Sequence, residues 1–235
     1  DLLGRGEPEV AVHGSFSGMC HYHAFAEYVR AKGGQALHTA HRYSSLNLAA
    51  YLLGEPAEGY AHARAAFEEL SERANPDDFF LLKHGLEESQ GSLQLVHTLA
   101  LMRISGWDPE ILLNGFQTLQ KYAKEANDNE KREIDRSLRR TWENYYHIGE
   151  LRDLAFYTGM IYYEMGYFSE AIEFFRESVR LFGKDPSTLY NMGVCHFNLR
   201  QLESARDCAQ GTLDQDPKFE SARSLLLSVR DNSAA

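Results

Sequence analysis

Two small residues recur in this chain at one interval. Gly159 and Gly193 are 34 residues apart, and so are Ala171 and Ala205. A period of that length marks a supersecondary unit stacked on a copy of itself, because one such unit cannot bury its apolar side alone. The first copy runs from about Arg152 to Lys184 and carries Gly159, Tyr162, Gly166, Phe168, Ala171, Phe175 and Ser178. The second runs from Pro186 to Lys218, with Gly193, His196, Arg200, Leu202, Ala205, Ala209 and Thr212. The residue types describe a helical hairpin. Gly159 and Ala171 are small where two antiparallel helices approach closely, and Tyr162, Phe168 and Phe175 fill the volume beside them. Gly166 permits the turn between the helices, and Pro186 and Pro217 stand where a new helix can begin without an N–H. After Pro217, the run Phe219, Ala222, Leu225, Leu226 and Val229 is amphipathic and reads as a closing helix.

The segment Gly159-x-x-Tyr162-x-x-x-Gly166-x-Phe168-x-x-Ala171-x-x-x-Phe175 resembles the tetratricopeptide repeat family. The second copy departs from the pattern, with His196 for an aromatic, Arg200 for the turn glycine and Ala209 for a large apolar residue. The resemblance implies a protein or peptide partner, held by the first helix of each hairpin. The residues it places on that face are Phe156, Met160, Tyr163 and Glu164, then Tyr190, Val194, Phe197 and Asn198. Such a face suits an amphipathic helix or an extended apolar peptide. The same aromatics would also serve to bury another helix of this chain. The Lys/Asn/Arg set with which some family members clamp a C-terminal carboxylate is absent from the matching positions.

The middle of the chain, from Ala57 to about Ile148, reads as further helices. Ala61–Arg73 stops before Asn75-Pro76, and Asp77-Asp78 reads as an N-cap pair. Ser92–Ile104 ends at Ser105-Gly106, and a new helix restarts at Glu110 after Asp108-Pro109. Asn127-Asp128-Asn129 reads as a loop. Glu130–Tyr146 then puts Ile134, Leu138, Trp142 and Tyr145 on one stripe. Arg132, Arg136, Arg139 and Arg140 form a basic cluster, either a solvated face with local carboxylates or a site for an acidic partner.

The first fifty residues have another texture. Glu9–Gly14 alternates like a strand, Ser15–Gly18 reads as a turn and Met19–Lys32 as a helix stopped by Gly33-Gly34. Gln35–His41 reads as a second strand and Ser44–Leu53 as a second helix. Two lone strands do not make a stable sheet, so they are expected to complete a larger one. Val10-Ala11-Val12-His13, Phe16, His23-Ala24-Phe25-Ala26 and Leu52-Leu53-Gly54 resemble the tail of MidA-type methyltransferases, a family that uses S-adenosylmethionine (SAM) and is linked to mitochondrial complex I assembly. That resemblance implies a substrate-positioning role and a SAM site upstream of Asp1, with no cofactor site in this chain. The opening Asp1-Leu2-Leu3-Gly4 lacks an initiator Met and reads as a fragment or a processed product.

These readings give a mostly α chain, a helical-hairpin solenoid with two repeats and a closing helix, preceded by a small α/β remnant. The expected divisions are 1–56, 57–150 and 151–235. A net charge of −10 disfavours nucleic acid and anionic membranes as partners. Three distant cysteines, Cys20, Cys195 and Cys208, point to free thiols and a cytoplasmic setting. Reactive chemistry has few carriers. Cys20 at a helix start near His21 and His23 is a conceivable thiol nucleophile. His21 and His23 point about 200° apart on a helix and cannot chelate one ion together. No catalytic or metal site is expected.

Overall fold

In a computed structural model, residues 9–10, 16–17, 21–38, 48–54, 57–73, 76–89 and 92–233 are described. The chain divides into two compact units, 1–85 and 86–235.

The first unit holds β1 (Glu9–Val10) antiparallel to β2 (Phe16–Ser17), so the expected turn at 15–18 is in part a strand. Helix α1 (Tyr22–Ala31) follows, its start capped by the His21 ring, which accepts from the Ala24 N–H at 3.3 Å. Strands β3 (Gln35–His38) and β4 (Ala49–Leu52) pair antiparallel, with Gln35 opposite Leu52 and His38 opposite Ala49. Helix α1 packs on this hairpin through Ala26 and Val29. Gly34 permits that closeness, since a Cβ there would lie 2.2 Å from the Leu52 carbonyl oxygen.

The helix expected over Ser44–Leu53 is therefore corrected: its second half is β4, and its serine caps lie outside the described residues. Leu-Ala-Ala-Tyr-Leu-Leu has ample helix propensity, but pairing with β3 under α1 overrides it. Leu52-Leu53-Gly54 thus closes a strand. Helices α2 (Ala61–Arg73) and α3 (Pro76–Glu88) come next. Because α3 begins at Pro76, Asp77 and Asp78 sit inside its first turn and are not its cap.

The second unit is a run of helices packed in sequence order: α4 (Leu95–Ile104), α5 (Pro109–Ala123), α6 (Asp128–Asn144), α7 (Leu154–Glu164), α8 (Phe168–Phe182), α9 (Pro186–Asn198), α10 (Leu202–Gln215) and α11 (Glu220–Ser233). Side-chain carboxylates and amides set the starts. Asp108, Asp153 and Asp185 each accept a backbone N–H in the first turn of α5, α7 and α9, and Pro109 and Pro186 occupy first positions. Asn127 is a cap as well. It accepts from the N–H groups of Asn129 and Glu130 while Glu130 bonds back to the Asn127 N–H. The expected loop at 127–129 is thus the first turn of α6. Polar side chains in series read equally as loop or cap, and the capping box decides for the cap.

The 34-residue register is seen in the backbone. The turn after α7 puts Gly166 at φ 77°, and the Tyr167 N–H returns to the Tyr162 carbonyl at 2.9 Å. The turn after α9 puts Arg200 at φ 62°, and the Gln201 N–H returns to the His196 carbonyl at 2.9 Å. Each hydrogen bond lies 34 residues from its counterpart. Gly159 and Gly193 likewise sit at equivalent close approaches. A Cβ on Gly159 would lie 2.7 Å from the Phe175 ring of α8, and one on Gly193 would lie 3.1 Å from Cys208 of α10.

A candidate partner-binding face

Alternate helices of the second unit touch one another directly: α5 meets α7, α7 meets α9 and α9 meets α11. Helices α5, α7 and α9 are the first helices of successive hairpins and α11 closes the run, so the four lie in one row. All eight residues expected on the partner-binding face are described, and none is fully buried. Phe156 is fixed by the cap, its N–H donating to Asp153 at 2.8 Å, and its ring packs on Tyr157 and Phe175. Tyr163 lies edge-on to Phe168, with ring centroids 5.9 Å apart. Burial pushes the Tyr163 hydroxyl pKa up, and Cys195, Glu164 and Tyr190 add to the effect. Tyr163 therefore stands between α7 and α9.

Glu164 accepts a hydrogen bond from the Gln120 amide of α5 at 3.3 Å, which joins a third helix to the face. Sequence reasoning missed this extension. Asn114, Gln117 and Gln120 of α5, with Phe116, Arg152 and Tyr157, line a cavity of about 450 Å³. Phe116 and Tyr157 meet edge-to-face at 4.7 Å, and Arg152 donates to Asn114 at 2.6 Å. The signal was present as three carboxamides at i, i+3 and i+6, but α5 lies outside the 34-residue register, so nothing tied it to the repeats.

On α9 the surface is shared with packing. Tyr190, Val194 and Phe197 lean on the cluster of Ala205, Ala209, Leu225 and Val229 from α10 and α11, and the Tyr190 ring meets Phe219 at 5.1 Å. Asn198 is exposed and donates to the Val194 carbonyl at 2.9 Å. Phe156, Met160, Tyr163 and Glu164 on α7 and the α5 carboxamides are thus the more available part.

Residues 159–185 match the tetratricopeptide repeat family. The C-terminal part carries the tetratricopeptide repeat. The match covers the α7–α8 hairpin, and α9–α10 repeats its turn and its close helix approach 34 residues on. No curated protein matches the chain. Tetratricopeptide repeats are protein-interaction modules, and the face here carries half-buried aromatics. Among the described residues, no group of three or more His, Cys, Asp or Glu is placed to hold a metal ion. Cys20 lies outside them. Burial pushes the Cys195 thiol up to about 12, far from a reactive thiolate. No helix among the described residues is long and apolar enough to cross a membrane.

Proposed function

We propose that residues 86–235 hold an apolar segment of a protein partner across α5, α7 and α9. One observation carries this reading. Phe156, Met160 and Tyr163 stay partly exposed on α7, while Leu154, Ala155, Ile161 and Tyr162 of the same helix are almost wholly buried. A helix that needed its aromatics only for packing would turn them inward. Phe156, Met160 and Tyr163 supply apolar contact, and the Gln117 and Gln120 amides and the Glu164 carboxylate supply hydrogen bonds to the segment. Cys195 and Cys208 are free thiols, which supports a cytoplasmic setting.

The test is selection of random peptides displayed on phage against the whole chain and against Met160→Glu/Tyr163→Ala. The wild type is expected to enrich apolar peptides that the variant fails to retain, with unchanged helicity by circular dichroism. Equal retention by the two proteins contradicts the assignment. Phe197 is left intact because it packs on the α11 cluster.

A further inference from the structure

A second surface lies on the other helices of the hairpins. Between α6 and α8 a cavity of about 510 Å³ has Trp142 and Phe174 at its base, edge-to-face with ring centroids 5.2 Å apart, and Arg139 and Arg176 at its rim. It continues into a cavity of about 390 Å³ along α6, bordered by Arg132 and Arg136, and the two share Arg139 and Glu143. The local carboxylates are mostly engaged. Asp135 takes Arg139 at 2.9 Å, Glu143 takes Arg140 at 3.1 Å and Glu177 takes Arg180 at 2.6 Å. Arg132 has only the Asn129 carboxamide, and Arg136 and Arg176 have no ion pair among the described residues. Three guanidinium groups thus lack a carboxylate in a chain of net charge −10. Glu173, beside the aromatic cavity, is a carboxylate without a cation there, so the surplus of positive charge lies toward Arg132 and Arg136.

We propose that this groove binds an extended acidic segment of a protein partner, with acidic residues at alternate positions and an uncharged aromatic side chain further along. The spacing follows from two geometries. Arg132 and Arg136 are four residues apart, about 6 Å along a helix, and alternate residues of an extended chain are about 6.6 Å apart. Arg136 to Trp142 is six residues, about 9 Å along α6 and about 120° around it, a path that four extended residues, about 13 Å, span. The complementary pattern is acid-x-acid-x-x-x-aromatic, which keeps all three side chains on one face of the extended segment, running in the direction of α6. The carboxylates meet Arg132 and Arg136 in bidentate pairs, and the aromatic ring enters the space over Trp142 and Phe174. Nucleic acid is disfavoured because a long polyanion would meet the chain's acidic surface beyond the groove. This surface is independent of the α5–α7–α9 face, and neither reading requires the other.

The experiment is selection from a displayed random dodecapeptide library on the full chain, followed by calorimetry of the enriched peptide made synthetically. Peptides with alternate acids and an aromatic are expected to be enriched. The synthetic peptide should bind at least about tenfold more weakly to Arg132→Glu/Arg136→Glu, and less than about fivefold more weakly to Arg136→Gln. It should bind Met160→Glu/Tyr163→Ala unchanged. Circular dichroism should show the arginine variants folded, as expected for exposed helix positions. Recovery of no acidic peptide, equal binding to the charge-reversed variant, or competition of a single-stranded oligonucleotide for the same arginines would each overturn the proposal.

Discussion

The α7–α8 and α9–α10 hairpins share one backbone and differ in nearly every device that secures it. Tyr162 is stacked on Phe174 and donates to Asp135 at 2.9 Å, whereas His196 at the equivalent place is buried and bonded to Gln201 at 2.5 Å. Ile161 and Phe174 are answered by Cys195 and Cys208, Phe175 by Ala209 and Gly166 by Arg200. The second hairpin compensates through its neighbour. Where Phe175 fills the space beside Gly159, Leu225 from α11 reaches to within 3.2 Å of a Cβ position on Gly193. The close approach in the first hairpin is thus filled by the hairpin's own Phe175, while that in the second leans on the closing helix. The comparison teaches that the repeat is defined by close approaches and turn hydrogen bonds, which outlast the consensus residues that usually provide them.

Substitutions can break this asymmetry. The largest effect is expected from Phe175→Ala. It empties a fully buried ring and should cost about 3–5 kcal/mol in urea unfolding, with no counterpart at Ala209. Gly159→Ala should cost about 1–3 kcal/mol, because its Cβ would meet the buried Phe175 ring at 2.7 Å. Gly193→Ala should cost less, its nearest contact being 3.1 Å. Combined with Phe175→Ala, the Gly159→Ala penalty should largely vanish, a coupling that a double-mutant cycle reads directly.

The turns offer a smaller contrast of opposite sign. Gly166→Ala places a side chain at φ 77° and should destabilise by about 1 kcal/mol. Arg200→Gly relieves the same conformation at φ 62° and should stabilise by a few tenths to about 1 kcal/mol, since the exposed Arg200–Asn232 hydrogen bond it loses is worth little.

A last effect appears only at alkaline pH. Burial keeps the Cys195 thiol neutral to about 12 in the folded chain, whereas an exposed thiol ionises near 9. Its contribution is complete below pH 9 and declines as pH rises toward 12. Tyr162, raised by burial and by Asp135, acts with the same sign from its ordinary 10 upward. Denaturation midpoints should therefore begin to fall from about pH 9, and Cys195→Val should make the fall between pH 9 and 10 shallower, the remainder coming from Cys208, whose thiol burial also raises.

Much of the repeat region was legible because its signals are local and periodic. The interval from Gly159 to Gly193, the turn at Gly166 and the restart at Pro186 follow from residue types that tolerate only certain backbones. Features that depend on a distant partner were not legible. Strand β4 exists because β3 pairs with it, and Ala49–Leu52 carries no mark of that pairing. Asn127 is a cap only because Glu130 bonds back to it. The loop after α6 is ordered by Glu150, whose carboxylate accepts from the Tyr145 hydroxyl and, at 2.8 Å, from the Ile148 N–H. Burial opposes its charge, yet these bonds hold Glu150 down to about 2. The arginine cluster of α6 was visible in the sequence, but the cavity over Trp142 and Phe174 needs α8 beside it. On the candidate face the α7 residues followed from the register, while the α5 extension was hidden by its position outside it.

Native-state hydrogen exchange of the Phe175 and Ala209 amides tests the shared repeat architecture most directly. These residues are fully buried at equivalent places, 34 positions apart. If the two hairpins form one stack of coupled repeats, both amides should exchange through the same opening, with protection agreeing to within about tenfold. Exchange of Ala209 about a thousandfold faster than Phe175 would mean that the second hairpin opens on its own, and would contradict it.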